Sequence, residues 1–373
     1  MTGSQRTTRL YALDGLRGVL ALYVLFSHML PFAALGPVAM RIARLFSHGG
    51  AAVDVFFALS GLVIARSLAR FRYQAGPFLG ARIRRLYPVY LPVLVFAIAI
   101  QPLGAGFAAM PWIAPSGTAH FIWSGGWGHG AGVDILLHLL MAHGLVPDAL
   151  GPDRWVRFLG AAWSLSVETQ FYLLAVLLTR RQSAPPSAWA LTGLAVAALL
   201  WRHALPPPLQ FSRAFLPNRA QFFALGLAGA TVLESRTWGR YGAVMAGALA
   251  IGWARQGLDG FAAPLVWTLA LAVEAVPGHI LLAPLRAALT GRTVLRLGAL
   301  SYPLYLVNEP VQKLLGLGLA RLAAGDGTVF TVLWLPLGVG LPLALAWALH
   351  RFVEQPSQGW PLPGLGQRRM KLQ

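Results

Sequence analysis

Arg17 and His28 stand eleven residues apart in a stretch, Leu10 to Phe32, that is otherwise almost wholly apolar. At about 100° per residue this spacing returns both to roughly one face of a helix, about 16 Å apart along its axis. That is too far for a direct pair. An arginine inside a membrane-length helix costs about 2.5–3.5 kcal/mol on insertion scales, so such residues face a partner or a polar cavity. Histidine is the side chain best suited to general-base work near neutral pH, and an adjacent carboxylate would fix its tautomer and stabilise the imidazolium. Three carboxylates sit in apolar surroundings: Asp54, Glu168 and Glu309. Ser164, Glu168 and Tyr172 follow one another at four-residue spacing and share a helix face. The run Ser301 to Pro310 adds Tyr302, Tyr305 and Asn308. Each has a plainer reading beside the chemical one. Arg17 could snorkel and His28 pack, Asp54 could be a first-turn charge favoured by the helix dipole, and Glu309 could pair with Lys313 beside a kink at Pro310.

The elements that must position these groups are membrane spans. The chain has 373 residues, is 57% hydrophobic and only 11% charged, and its apolar runs recur at spanning length to the end. The runs are continuous rather than alternating, which predicts an all-α, polytopic integral membrane protein. Ten spans are expected, near 10–32, 51–69, 86–104, 161–179, 188–204, 218–235, 238–256, 261–283, 294–319 and 328–350. Ala131–Val146 is apolar but short, and is expected to be re-entrant or interfacial. No internal repeat or linker divides the chain, so residues 1–373 read as a single membrane domain with a tail over about 351–373.

The formal charge of +18 is carried almost wholly by arginine. In a span-rich chain this reflects positive-inside topology rather than nucleic-acid binding. With both termini in the cytoplasm most basic residues fall inside, among them Arg6, Arg9, Arg66, Arg70, Arg180, Arg181, Arg236, Arg286, Arg292, Arg368, Arg369 and Lys371. Arg6 and Arg9 precede an apolar stretch as in a signal peptide, but that stretch is too long, carries Asp14 and Arg17, and lacks a clear cleavage site. It reads as a retained first span. The chain has no cysteine, which excludes disulfides, thiolate metal sites and a cysteine nucleophile. Asp134 and His138 share a face, but no third ligand has metal-site spacing, so no metal is expected.

The segment Phe78 to Pro88 opens the third span with Arg82, Arg84 and Arg85. Arginines at a helix start run against its dipole, which points to a phosphate that offsets them, or else to plain topology signalling. The 105–160 connection is rich in Gly, Pro and Trp and holds His120, His129, His138 and His143. Its tryptophans Trp112, Trp123, Trp127 and Trp155 suit either interfacial anchoring or stacking on sugar rings.

The ordered set Leu13-Asp14-Gly15-Leu16-Arg17-Gly18 with His28, Val53 to Gly61, Arg82 to Pro88, Trp163 to Tyr172, Ser301 to Pro310 and Val353-Glu354-Gln355-Pro356 resembles the acyltransferase 3 family of integral-membrane acyltransferases. The resemblance implies ten spans and transfer of an acyl group, acetyl foremost, from cytoplasmic acyl-CoA to a hydroxyl of a carbohydrate or lipid-linked glycan. No permanently bound cofactor is implied. The family's essential arginine and histidine fall on Arg17 and His28, and its cytoplasmic arginine motif on Arg82, Arg84 and Arg85. Many members have histidine where this chain has Asn308; asparagine cannot act as a base at neutral pH, so no proton-transfer role carries over. Many also bear an extra esterase-like domain, and none is expected here.

Together these readings predict a bacterial inner-membrane O-acyltransferase. The donor's phosphates would dock on Arg82, Arg84 and Arg85 with Arg17 further along the path. His28 would act as general base or transient acyl carrier, Glu168 or Asp54 would orient it, and Ser164, Tyr172, Tyr302 and Asn308 would bind substrate. The rival reading is a proton-coupled transporter or flippase of a lipid-linked or anionic solute; such proteins more often show paired repeats and broken helices.

Overall fold

The computed structural model describes residues 9–114, 117–123, 127, 130–151, 153–179 and 184–360. Arg6, His129, Arg180, Arg181 and most of the tail, including Pro361, Pro363, Arg368, Arg369 and Lys371, lie outside the described residues. The described chain is helical throughout, with one isolated bridge between Pro147 and Phe211. The helices are α1 Tyr11–Met29, α2 Pro37–Ala43, α3 Gly49–Arg70, α4 Ala75–Ile100, α5 Thr118–Ile122, α6 Ala131–Leu139, α7 Ala162–Thr179 and α8 Ala188–Ala204. They continue as α9 Ala220–Ser235, α10 Trp238–Gln256, α11 Ala262–Ala275, α12 Ala283–Thr290, α13 Arg292–Ala323, α14 Gly327–Leu349 and α15 Gln355–Gln358. Among the described residues, six helical stretches are long and apolar enough to cross a membrane: Tyr11–Phe32, Pro37–Arg70, Ala75–Leu103, Ala162–Thr179, Trp238–Ala275 and Gly327–Gln358. The molecule is thus an all-helical integral membrane protein.

Two boundaries differ from expectation for local reasons. Helix α4 starts at Ala75, about two turns before the arginines, because Pro77 is tolerated in a first turn where no intrahelical N–H is needed. Arg82, Arg84 and Arg85 therefore lie inside the helix rather than at its start, and the dipole argument does not apply to them. Helix α11 ends at Ala275, since Pro277-Gly278 cannot continue it; the chain restarts as α12 rather than running on to residue 283. Helix α6, in the segment expected not to cross, has nine residues, well short of the roughly 20 a span needs.

Glycines let α1 approach its neighbours at backbone distance. A Cβ on Gly18 would lie 2.6 Å from the Gly298 amide nitrogen, and one on Gly298 would run into the Asp14 carbonyl. Gly18 thus seats α1 directly on α13, and Gly15 seats it on the Leu289 carbonyl of α12. Gly61 and Gly226 do the same for α3 and α9. Helix α1 has no side-chain cap of its own, and Glu274 on α11 supplies one, accepting from the Ala12 N–H at 2.8 Å.

Prolines inside the spans release carbonyls that specific side chains then satisfy. Pro88 has no N–H to give the Arg84 carbonyl, and Ser357 Oγ donates to it at 3.4 Å. Pro342 likewise frees the Gly338 carbonyl, which receives Gln312 Nε2 at 3.0 Å. These contacts tie α15 to α4 and α13 to α14. The connection before α7 is folded around Asp134, whose buried carboxylate takes both Arg154, at 3.3 Å, and Arg157. His138 Nδ1 bonds the Asp134 carbonyl at 2.8 Å, and its ring stacks on His143 at 4.1 Å.

Candidate active site

Two cavities lie along the face of α1 that carries Arg17 and His28. The one beside Arg17, named the inner cavity for the side on which the arginine topology would place it, is lined by Arg17 from α1, Ser60 from α3, Arg82 and Arg85 from α4, Ser164, Glu168 and Tyr172 from α7, and Ser301, Tyr302 and Tyr305 from α13. The helical spacing of α7 works as expected, and Tyr172 Oη donates to Glu168 Oε2 at 2.5 Å. Arg82 donates to Ser67 Oγ at 3.1 Å and lies 5.7 Å over the Phe78 ring. Arg85 sits 5.5 Å over the Tyr302 ring and is ion-paired with Glu354, whose buried carboxylate also takes His350 Nδ1 at 2.6 Å. Tyr302 Oη in turn donates to the Leu86 carbonyl at 2.6 Å, a bond that joins α13 to α4.

Arg17 differs from its neighbours. Among the described residues its guanidinium makes no hydrogen bond and no ion pair, although it lies within a span-length helix and faces the cavity. Such a cation is costly in a membrane unless an anion meets it.

The outer cavity is lined by Ser27 and His28 from α1, Gly49, Gly50 and Val53 from α3, Trp155, Trp163 and Arg213, and Tyr305 and Glu309 from α13. His28 is half-buried, and its Nδ1 lies 2.8 Å from Asn308 Oδ1. Arg213 lies over two indoles, 5.8 Å from Trp155 and 5.5 Å from Trp163. Glu309 Oε1 accepts the Gly160 N–H at 3.3 Å, and Lys313 Nζ reaches Gln101 Oε1 at 3.5 Å. Val53 and Tyr305 line both cavities and so stand between them. Tyr305 is held there by its hydroxyl, which donates to the Ala161 carbonyl at 3.1 Å.

The sequence-derived site residues divide as follows. Arg17, Glu168, Arg82, Arg85, Ser164, Tyr172 and Tyr302 come together at the inner cavity, and His28 stands at the outer one. Asp54 lines neither: it is 4% exposed and held by Arg219 Nη1 at 3.1 and 3.0 Å. It lies past the first turn of α3, so the ion pair rather than the helix dipole accounts for it. Neither Asp54 nor Glu168 is hydrogen-bonded to His28; the Nδ1 partner is Asn308. Asn308 is fully buried behind the histidine and lines neither cavity. Arg84 is turned away from the inner cavity to the Trp360 carbonyl.

Arg213, Arg219 and Glu354 are the charged residues that the sequence does not single out. Arg213 and Arg219 sit in the connection between α8 and α9 and read as ordinary topology. Glu354 belongs to a motif known only through resemblance, with nothing local to reveal its partner Arg85.

Comparison with known proteins gives the family. The acyltransferase 3 family model, described as an acyltransferase domain, matches residues 10–351. The chain is 28% identical over 386 residues to the acyltransferase MdmB of Streptomyces mycarofaciens, covering 94% of this chain and 92% of that protein. It is also 38% identical over 95 residues to protein 2 in the picA locus of Rhizobium radiobacter, covering 24% of this chain and 45% of that protein. No solved structure matches. On the family match across nearly its whole length, the chain belongs to the acyltransferase 3 family and is an acyl-transferring enzyme of the membrane.

Proposed function

We propose that the protein is an O-acyltransferase that moves an acyl group, acetyl foremost, from cytoplasmic acyl-CoA to a hydroxyl of a carbohydrate or lipid-linked glycan. One observation carries the reading: Arg17 presents a guanidinium with no hydrogen bond or ion pair among the described residues to a cavity that shares the walls Val53 and Tyr305 with the cavity containing His28. The donor's phosphates dock at the inner mouth on Arg82, with Arg85 already neutralised by Glu354. Arg17 takes a phosphate or the polar pantetheine arm by charge-assisted bonds. The arm is thin and flexible enough to carry the thioester past Val53 and Tyr305.

At the outer cavity His28 accepts the proton of the acceptor hydroxyl as its oxygen attacks the thioester carbonyl. The C–S bond then breaks, and the thiolate leaves with the proton returned from the imidazolium. The acceptor lies among Trp155, Trp163, Arg213 and Glu309, which offer two indole faces and both signs of charge. This scheme goes with ten spans, a single domain over 1–373, both termini in the cytoplasm and residence in a bacterial inner membrane. The positive-inside bias of the arginines supports that orientation.

The test uses the full chain in lipid nanodiscs, radiolabelled acetyl-CoA and a solubilised envelope-glycan fraction. Label should pass to glycan and free CoA should appear. His28→Ala should lower that transfer by about 10²–10⁴-fold while acetyl-CoA still binds. Undiminished transfer by His28→Ala would overturn the reading.

A further inference from the structure

The Asn308 amide has two faces, and its hydrogen bonds decide which one meets His28. One face lies 3.0 Å from the Leu304 carbonyl and 2.7 Å from the Tyr305 carbonyl, one and the same helix's oxygens. Carbonyl oxygens only accept, so the group between them must be the NH2. The opposite face is then Oδ1, which also only accepts, and it lies 2.8 Å from His28 Nδ1. Flipping the amide would set its oxygen against two carbonyls and lose both of those bonds. Asn308 is fully buried, so no water competes for these positions.

We infer that Asn308 is a positioning residue that holds neutral His28 with its proton on Nδ1, leaving the Nε2 lone pair as the base in the outer cavity. The inference rests on the proposed role of His28 and deepens it. A base must have its lone pair on the nitrogen that faces the substrate, and a histidine's second partner settles which nitrogen that is. Here a neutral amide does what a carboxylate does elsewhere. It fixes the ring without placing a second charge in the membrane interior, where one would be costly. It also accounts for a position where a base is absent: the side chain at 308 need only accept, not titrate.

Two variants and one spectrum test this. The full chain in nanodiscs, labelled with 15N-histidine, is examined at mildly alkaline pH, and the His28 signals are assigned by subtraction using His28→Gln. The wild type should show His28 protonated at Nδ1 and bare at Nε2. Asn308→Leu, which removes the acceptor, should give a mixture of tautomers. A wild-type spectrum with Nε2 protonated, or one unchanged in Asn308→Leu, would overturn the inference.

Turnover with acetyl-CoA and solubilised envelope glycan adds a second readout. Asn308→Leu should lower kcat by about ten- to a hundredfold, the range found for hydrogen-bond partners of metal-bound histidines, with KM for acetyl-CoA unchanged. Asn308→Asp keeps an oxygen toward Nδ1 but turns another on the Leu304 and Tyr305 carbonyls. It should be the less stable of the two variants and yet the more active. Activity that follows stability would mean a merely structural role. Should His28→Ala remain active, the base reading fails while the spectrum still reports on the tautomer, so the two failures are distinguishable.

Discussion

Asp54 on α3 and Arg219, the residue before α9, form a buried ion pair in which both carboxylate oxygens lie 3.0–3.1 Å from one guanidinium nitrogen. Arg219 is only 8% exposed and also lies 5.7 Å over the Trp163 ring, so it bridges α3, α7 and α9 beneath the outer cavity. Removing one partner of such a pair leaves an uncompensated buried charge, which costs about 3–5 kcal/mol. Arg219→Met should lower the stability of the purified protein by that order in a thermal or denaturant series. The double variant Asp54→Asn with Arg219→Met should recover much of the loss. Equal losses in the single and double variants would show that the charge on Asp54 is not what the arginine compensates.

The arginine cluster should separate into three behaviours. Arg82 lines the inner cavity with a hydrogen bond only to the neutral Ser67, so Arg82→Ala should weaken acetyl-CoA binding by about ten- to a hundredfold, the worth of one charge-assisted contact. Arg84 faces the Trp360 carbonyl instead, and Arg84→Ala should leave that affinity nearly unchanged. Arg85→Ala leaves the fully buried Glu354 with His350 in place of a permanent cation, and should show first as lost stability. Calorimetry with acetyl-CoA beside thermal unfolding distinguishes the three. Identical affinities in all of them would return the cluster to a topological signal.

How much of this could be read from residues alone follows from the range of each interaction. The face shared by Arg17 and His28, and the Tyr172–Glu168 bond, are set within one helix, where a fixed rise and rotation suffice. The apolar runs mark the helices, since a span must satisfy its own backbone. Asp54 with Arg219, Arg85 with Glu354 and His28 with Asn308 join residues 165, 269 and 280 positions apart. No local pattern carries such pairings. That is why the carboxylates, the obvious polar residues in span positions, were expected beside His28 while an asparagine takes the place. The early start of α4 was hidden by Gly76-Pro77, which reads as a loop signal although proline also fits a helix's first turn.

The close seat of α1 on α13 should be intolerant of a single methyl group. Gly18 faces the Gly298 amide and Gly298 faces the Asp14 carbonyl, and a Cβ on either would have to push the helices apart. Gly298→Ala should cost about 1–3 kcal/mol as an overpacked contact. It should also lower kcat, because α1 carries His28 and α13 carries Asn308, and their 2.8 Å bond depends on that separation. Gly193 on α8 has open space around it, so Gly193→Ala serves as the control and should leave stability and turnover as they are.

Val53 should govern which acyl groups reach His28. It and Tyr305 line both cavities, and Tyr305 is pinned by its bond to the Ala161 carbonyl, which leaves Val53 as the side whose size can be changed without losing a hydrogen bond. Val53→Trp should obstruct the passage while the phosphate contacts at the inner mouth stay intact. Acetyl-CoA should then bind with unchanged affinity and transfer should fall steeply, a separation of binding from turnover that misfolding would not produce. Val53→Ala should act in the opposite sense. Each methylene placed in an apolar site is worth about 0.8 kcal/mol, so the ratio of kcat/KM for butyryl-CoA over acetyl-CoA should rise by about tenfold or more as two extra methylenes find room. Competition between the two donors, read by mass spectrometry of the modified glycan, measures that ratio directly. An unchanged ratio in Val53→Ala, together with full activity in Val53→Trp, would mean that the acyl group takes another route to the histidine.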